Sequence, residues 1–178
     1  MGVNKERNLF ARGADYGAIM GLWLSAMALS FIYVDKVAPL AIVALVMLTL
    51  TPVVVYRYQR REWISSQSKA TFSDLWMLGI LMFICGSLIT GAVTYVVLQW
   101  IRPDFIMHQA QMALEIYKSP SLAETQIAPT LESIIKEGLL PTPIQMVMSL
   151  FWSTTFMGSL LSALTSAIVR TSKIRRQP

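Results

Sequence analysis

The composition of this 178-residue chain excludes an ordinary soluble protein. Hydrophobic residues make up 54% of the chain and charged residues only 14%, and the mean hydropathy is positive, as in proteins whose helices face lipid. The single cysteine, Cys85, leaves no disulfide framework and no thiolate metal centre to build. At this length we expect one integral membrane domain, 1–178.

Two uncharged stretches predict the first two membrane spans. The first span, at about 14–34, ends at Asp35, and the second follows at once, at about 37–56. Pro52 lies in the last third of the second span, where the missing N–H is expected to bend the helix. The arginine- and serine-rich stretch 57–73 is predicted to be a polar loop.

The third span, at about 74–101, is the clearest of the four. It contains no charged residue after Asp74, and at about 1.5 Å per residue it exceeds the roughly 30 Å of hydrocarbon to be crossed. Thr71 followed three residues later by Asp74 is typical of a capping box at a helix start. Thr142 likewise predicts the N-cap of a fourth span at about 143–169.

The segment 103–142 between spans three and four is the longest polar stretch. Apolar residues recur at helical spacing over 105–118, which predicts an amphipathic helix on the membrane or over the bundle mouth. Pro129 is expected to break the chain before one more short helix over 130–137. The sequence therefore predicts an all-α fold, a four-helix transmembrane bundle with short amphipathic helices in the external loop.

The distribution of basic residues predicts that both termini are cytoplasmic. Eleven of the 15 lysines and arginines fall in the N-terminus, the loop 57–73 and the tail, and four fall on the other side. Basic flanks resist translocation, so the richer side stays in the cytoplasm. The net charge of +5 then indicates a partner in the anionic inner leaflet rather than in a nucleic acid.

Small residues spaced one helical turn apart predict close helix packing. In lipid, a smooth face lets two backbones approach and gain van der Waals contact. Packing within the bundle and a homo-oligomer or partner interface both remain open, and we expect spans one, three and four to pack most tightly. The predicted packing faces are Gly13, Gly17, Gly21 and Ser25 in span one, and Gly158, Ser162 and Ser166 in span four.

Two acidic residues stand at the predicted cytoplasmic ends of spans. Asp15 and Asp74 could contact a head group or a substrate, since an ionisable residue at a span is a functional hypothesis. Both could instead stabilise helix starts beside the positive end of the helix dipole. The sequence favours the structural role.

The basic and aromatic residues after span two are a second candidate site. Arg57, Arg60, Arg61 and Trp63 would suit an anionic lipid head group, although the same residues would also serve as a topology signal.

No residue pattern indicates catalysis or metal binding. His108 is the single histidine and is predicted to be a solvated surface residue, and no metalloprotease, nucleophile-elbow or phosphate-loop motif is present. We therefore expect no enzyme activity, no metal and no cofactor.

Several motifs together resemble a known family. They are Gly17-x3-Gly21, Thr71-Phe72-Ser73-Asp74, Arg102-Pro103-Asp104-Phe105 and the stretch 159–173. They are similar to those of small four-span bacterial inner-membrane proteins catalogued only as a domain of unknown function. The resemblance covers the four spans but not the external segment after Phe105. It implies no activity, but such genes tend to lie beside membrane glycosyltransferases resembling polyprenyl-phosphate sugar transferases, which implies a partner.

These observations lead to two functional hypotheses. The first is a non-enzymatic accessory or scaffold protein of the inner membrane, partnered with a polyprenyl-phosphate glycosyltransferase. The second is a small transporter or lipid flippase for a lipid-linked or anionic substrate, gated by the bend at Pro52 and by the external helices.

Overall fold

The protein is an α-helical bundle of the kind that the sequence predicts. The structure, a computed structural model, describes residues 2–66, 70–118 and 127–171, with side chains from residue 9 onward. The described helices are α1 (Gly2–Ile32), α2 (Pro39–Ser65), α3 (Phe72–Val96, continued by a π-helical turn Val97–Ile101), α4 (Phe105–Tyr117), α5 (Ile127–Lys136) and α6 (Pro143–Thr171).

Four of these helices are long and apolar enough to cross a membrane. They are Leu9–Ile32, Pro39–Ser65, Phe72–Ile101 and Pro143–Thr171. The prediction of an all-α, four-span fold is thereby confirmed, and the chain is a multi-pass membrane protein. The end of the bundle where α1 begins and α6 finishes is called the terminal end here, and the end that carries α4 and α5 is called the loop end.

Both predicted helix starts are formed by reciprocal hydrogen bonds. The N–H of Thr71 donates to Asp74 Oδ2 at 2.8 Å, and the N–H of Asp74 donates to Thr71 Oγ1 at 3.2 Å. The N–H of Thr142 donates to Gln145 Oε1 at 2.9 Å, and the reverse bond to Thr142 Oγ1 measures 3.4 Å. Each box satisfies two backbone N–H groups at a helix start, which fixes where α3 and α6 begin.

Helix α3 is the centre of the bundle. It packs along α1 with one face and along α6 with another, while α2 closes the remaining side at the terminal end. Helices α1 and α3 run parallel, and α6 runs antiparallel to α3. Spans one and four therefore both pack tightly on span three, but they hardly touch each other.

Two local predictions need correction. The stretch 57–65 is not a loop but the last part of α2, because Gln59 and Glu62 lie on its buried face and extend the packing beyond the apolar run. Pro129 does not break the helix, because it lies within α5, two residues after the first described residue of that helix.

The last turn of span three is wound as a π-helix. The N–H of Arg102 donates to the carbonyl of Val97, five residues earlier, at 2.7 Å. Single π-helical turns of this kind often occur at functional sites. Here the turn positions Arg102 beside the end of α1.

Candidate functional sites

The small residues of α1 all face α3. A Cβ atom added at Gly17 would lie 2.6 Å from the Cβ of Cys85, and one at Gly21 would lie 2.8 Å from the Cβ of Ile89. Because real Cβ atoms do not approach so closely, only glycine allows this spacing. The pattern repeats at one-turn intervals, with Gly13 facing Leu81, Gly17 facing Cys85, Gly21 facing Ile89, and Ser25 within 3.5 Å of Thr90.

Replacing Gly17 by alanine is expected to destabilise the bundle by about 1–3 kcal/mol, since overpacking a tight contact forces the helices apart. The chosen control is Ala18→Leu, which enlarges an exposed position on the same helix. Thermal unfolding in detergent should show a lower midpoint for Gly17→Ala and little change for Ala18→Leu. Equal midpoints for Gly17→Ala and the native chain would contradict close α1–α3 packing.

The small residues of α6 face α3 and α2. Gly158 lies directly against the ring of Phe83, and Ser162 Oγ donates to the carbonyl of Trp76 at 3.3 Å. Ser166 Oγ turns back to the carbonyl of Ser162 at 2.7 Å. All three predicted residues of this face are buried.

Gln59 is a buried residue at this junction that the sequence analysis missed. Its Nε2 donates to Ser162 Oγ at 2.8 Å, to the Ser162 carbonyl at 3.1 Å and to the Leu75 carbonyl at 3.3 Å. The side chain is fully buried. An amide inside a membrane bundle joins helices through such bonds, so Gln59 ties α2 to both α3 and α6.

The three arginines predicted to meet a head group lie on one exposed side of α2. Arg57, Arg60 and Arg61 are spaced three and four residues apart and are all exposed. We call these three residues the arginine face. Trp63 is not part of it, because the indole is half-buried beside Leu75 and Val169.

The two predicted acids are placed apart from each other. Asp74 forms the capping box with Thr71, which agrees with the structural role that the sequence favours. Asp15 is exposed on α1. Since Gly13 already faces Leu81, almost two turns beyond Asp74, the bundle does not bring the two carboxylates together.

At the loop end, Arg102 and Asp35 form a two-pronged ion pair. Arg102 Nη1 donates to Asp35 Oδ1 at 2.8 Å and to the Ile32 carbonyl at 2.7 Å, while Nη2 donates to Asp35 Oδ2 at 2.7 Å. The Arg102 side chain is only 7% exposed. The hydrogen bonds and charge of Arg102 lower the pKa of Asp35 from 3.8 to about 2, and the hydrogen bonds and charge of Asp35 raise the pKa of Arg102.

His108 lies beside this ion pair, with Nε2 3.8 Å from Asp35 Oδ2. The prediction of a surface histidine agrees with its half-exposed side chain, but its approach to Asp35 was not foreseen. Asp35, Arg102, Asp104, Met107, His108 and Gln111 line a cavity of about 330 Å³, which we call the loop-end mouth. Among the described residues, no group of three or more histidine, cysteine or acidic side chains could hold a metal ion.

A larger, apolar cavity of about 460 Å³ opens between the four spans. We call it the loop-end groove, because its lining residues come from the half of each span that lies nearer the loop end. Its walls include Leu24 and Ile32 of α1, Leu45 of α2 and Leu150 of α6. Phe105, at the start of α4, lines this groove, and its chain neighbour Asp104 lines the loop-end mouth.

A family model for a protein of unknown function, DUF4199, matches residues 15–171. The chain belongs to the DUF4199 family. No curated protein and no solved structure gives a significant match. The DUF4199 match confirms the resemblance to a family catalogued as a domain of unknown function, and it runs on through the segment after Phe105 that the motif resemblance did not cover.

The residues missed in this DUF4199 chain had one signal in common. Gln59, Arg102 and Asp35 are polar or charged residues at or near the ends of apolar runs, where the sequence analysis assigned them to boundaries. Opposite charges following spans one and three could have suggested the Asp35–Arg102 pair, because those two spans end on the same side of the membrane.

Proposed function

We propose that the protein is a non-enzymatic accessory protein of the bacterial inner membrane that binds a partner through the arginine face. The observation that carries this proposal is the position of Arg57, Arg60 and Arg61 on one exposed side of a helix whose other side is buried. Guanidinium groups bind carboxylates and phosphates with paired hydrogen bonds. Three guanidinium groups on one side of a helix can therefore bind a surface that carries carboxylates or phosphates.

The helix that carries the arginine face is held firmly in the bundle. Glu62 forms an ion pair with Arg12. The ring centroids of Tyr58 and Tyr16 lie 4.8 Å apart. Gln59 adds the bonds to α3 and α6 described above. Because these contacts fix α2 in the bundle, its backbone loses little conformational entropy when the arginines bind a partner.

The charge distribution supports an orientation with both termini in the cytoplasm. The arginine face then lies at the inner leaflet, where anionic lipids attract each basic residue by about 1 kcal/mol. The leaflet and an acidic or phosphate-bearing partner can engage the same row, since both present anions at this level.

The partner proposed is a membrane glycosyltransferase that works on a polyprenyl-phosphate lipid, as the family resemblance implies. A second copy of the chain is the competing partner. The small-residue face of α1 gives that competitor little support, because Gly13, Gly17 and Gly21 are already covered by α3.

The transporter or flippase hypothesis has one supporting observation, the loop-end groove. However, Met20, Val55, Met82 and Phe83 pack together beyond the groove's inner end. A cavity that stops partway through the bundle favours binding over passage.

Changing all three arginines of the arginine face to glutamine is expected to remove the partner. Exposed arginines contribute little to folding, so the variant should insert and unfold like the native chain while losing a charged interface. The measurement is chemical crosslinking in native membranes, followed by affinity purification in mild detergent and mass spectrometry. We expect at least about a tenfold loss of the recovered partner.

The matched control replaces Lys118 and Lys136, two basic residues of the loop end, with glutamine. That variant should recover the partner in full. A triple lysine variant of the arginine face separates charge from paired hydrogen bonding, since lysine keeps only the charge. Recovery of the same partner by the triple glutamine variant would contradict the proposal, as would recovery of no partner by the native chain.

A further inference from the structure

The loop-end groove exists because two spans are loosely packed in the same half of the bundle. The buried residues of α2 are Thr51, Val55, Gln59 and Glu62, so the helix is held only by its second half. Before Thr51, no described residue of α2 is buried. In the loop-end half of α6, Val147 is the one buried residue before Gly158. The loop-end halves of α2 and α6 therefore bury few residues, and the cavity lies between them.

The groove is closed at its inner end and open to the membrane at its side. Leu24 separates it from the packed cluster of Met20, Met82 and Phe83. Its outer walls on α2 include Leu45 and Leu48, both of which are exposed. A molecule can therefore enter from the surrounding lipid but cannot pass through the bundle.

The location of the groove selects the chemistry of its occupant. Its walls are membrane spans, so the molecules that reach it are the hydrocarbon chains of the bilayer. The volume of about 460 Å³ is in the usual range for small-molecule sites, roughly 300–1,000 Å³. The apolar walls of a cavity of this size can make van der Waals contacts along a hydrocarbon chain.

The charges around the loop-end mouth determine which lipid head group it can bind. Three N–H groups of Arg102 bind Asp35 and the carbonyl of Ile32, and the carboxylate of Asp35 balances the guanidinium charge, so Arg102 offers little to a phosphate. Asp104 is exposed and makes no side-chain capping bond to α4. With two carboxylates against one guanidinium around the cavity, the mouth favours a cationic group over an anionic one.

We propose that the loop-end groove binds one acyl chain of a zwitterionic aminophospholipid, with its ammonium group at Asp104 in the loop-end mouth. The lipid comes from the leaflet on the loop side, and the occupied groove completes the core between α2 and α6. This site is distinct from the arginine face, which lies at the opposite end of the bundle.

The test uses the full chain in vesicles of equal phosphatidylethanolamine and phosphatidylglycerol, extracted in mild detergent and examined by native mass spectrometry. The native chain should retain one phosphatidylethanolamine. Ala44→Phe places a ring in the groove, since Ala44 lines it, and should lower retention about tenfold. The matched control, Val46→Phe, adds a ring at an exposed position on the same helix and should retain the lipid.

Two further variants keep the test decisive. Ala28→Leu narrows the same groove from α1 and replaces Ala44→Phe if that variant unfolds. Asp104→Asn should bind both lipids alike, because the carboxylate that attracts the ammonium is gone. Equal retention by the native chain and both groove variants would overturn the site. Equal or preferential retention of phosphatidylglycerol by the native chain would overturn the assigned lipid. Partner recovery through the arginine face should be unchanged in every groove variant.

Discussion

Arg102→Gln is expected to lower the thermal unfolding midpoint by on the order of 5–10 °C. The substitution leaves the largely shielded Asp35 carboxylate without its cationic partner. The guanidinium makes two bonds to Asp35 and one to the carbonyl that ends α1. Removing it therefore separates the loop-end tips of α1 and α3. The midpoint is measured by intrinsic fluorescence in detergent.

A double-mutant cycle isolates the ion pair. Asp35→Asn alone should also lower the midpoint, and the double variant Asp35→Asn with Arg102→Gln should lose less than the sum of the two. Lys36→Gln is the control, since Lys36 is exposed beside Asp35. Strict additivity of the two single changes would contradict a coupled pair.

The same pair predicts an acid-sensitive window. The pKa of Asp35 falls from 3.8 to about 2 in the folded protein, so the folded state binds fewer protons than the unfolded state between those values. The stability that this pair contributes is present above about pH 4 and is lost as the pH falls toward 2. Asp35→Asn should flatten that part of the stability profile.

Gly158→Ala is expected to cost about 1–3 kcal/mol or more of unfolding free energy, because its Cβ would overlap the ring of Phe83. Neither group can move easily, since Phe83 is buried in the central cluster and α6 is held there by Gln59. Denaturant unfolding followed by circular dichroism gives the free energy.

The clash can be tested by rescue. Phe83→Ala removes the Cγ, Cδ1 and Cδ2 atoms that would meet the new methyl group, so the pair Gly158→Ala with Phe83→Ala should lose less stability than the sum of the two single changes. Leu160→Ala, at an exposed position on the same helix, should change the free energy far less. A Gly158→Ala variant as stable as the native chain would show that α6 does not pack on Phe83.

The spans and their starts could be predicted because they depend on local chemistry. A single uncharged run longer than the bilayer is thick predicts a helix, since a helix satisfies its backbone groups within the segment itself. Thr71 and Thr142 likewise act on residues three positions away, so their capping boxes could be inferred from the sequence.

The ion pair and the buried amide could not be predicted in this way, because their partners are distant in the chain. Arg102 meets Asp35 across 67 residues, and Gln59 meets Ser162 across 103. Each contact depends on how the spans are arranged, which hydrophobic runs do not specify. The same reason explains why 57–65 was predicted to be a loop, since the burial of Glu62 depends on Arg12.

The arginine face and the loop-end groove divide the molecule into two regions with different chemistry. The arginine face is a rigid charged surface at the terminal end, and the groove is an apolar site at the loop end. Because α2 is held only in its second half, a change in the groove need not disturb the arginine face.

The most direct test of the accessory function is site-specific photo-crosslinking from Ile64 in living cells. Ile64 follows the arginine face on the same side of α2 and is 58% exposed, so a photoreactive residue there leaves all three arginines intact. The control position is Phe156, exposed on α6. We expect one protein to be crosslinked from position 64 but not from position 156, and to be lost when the arginine face is changed to glutamine. The accessory function is contradicted if position 64 crosslinks to lipid but to no protein, or if both positions capture the same protein.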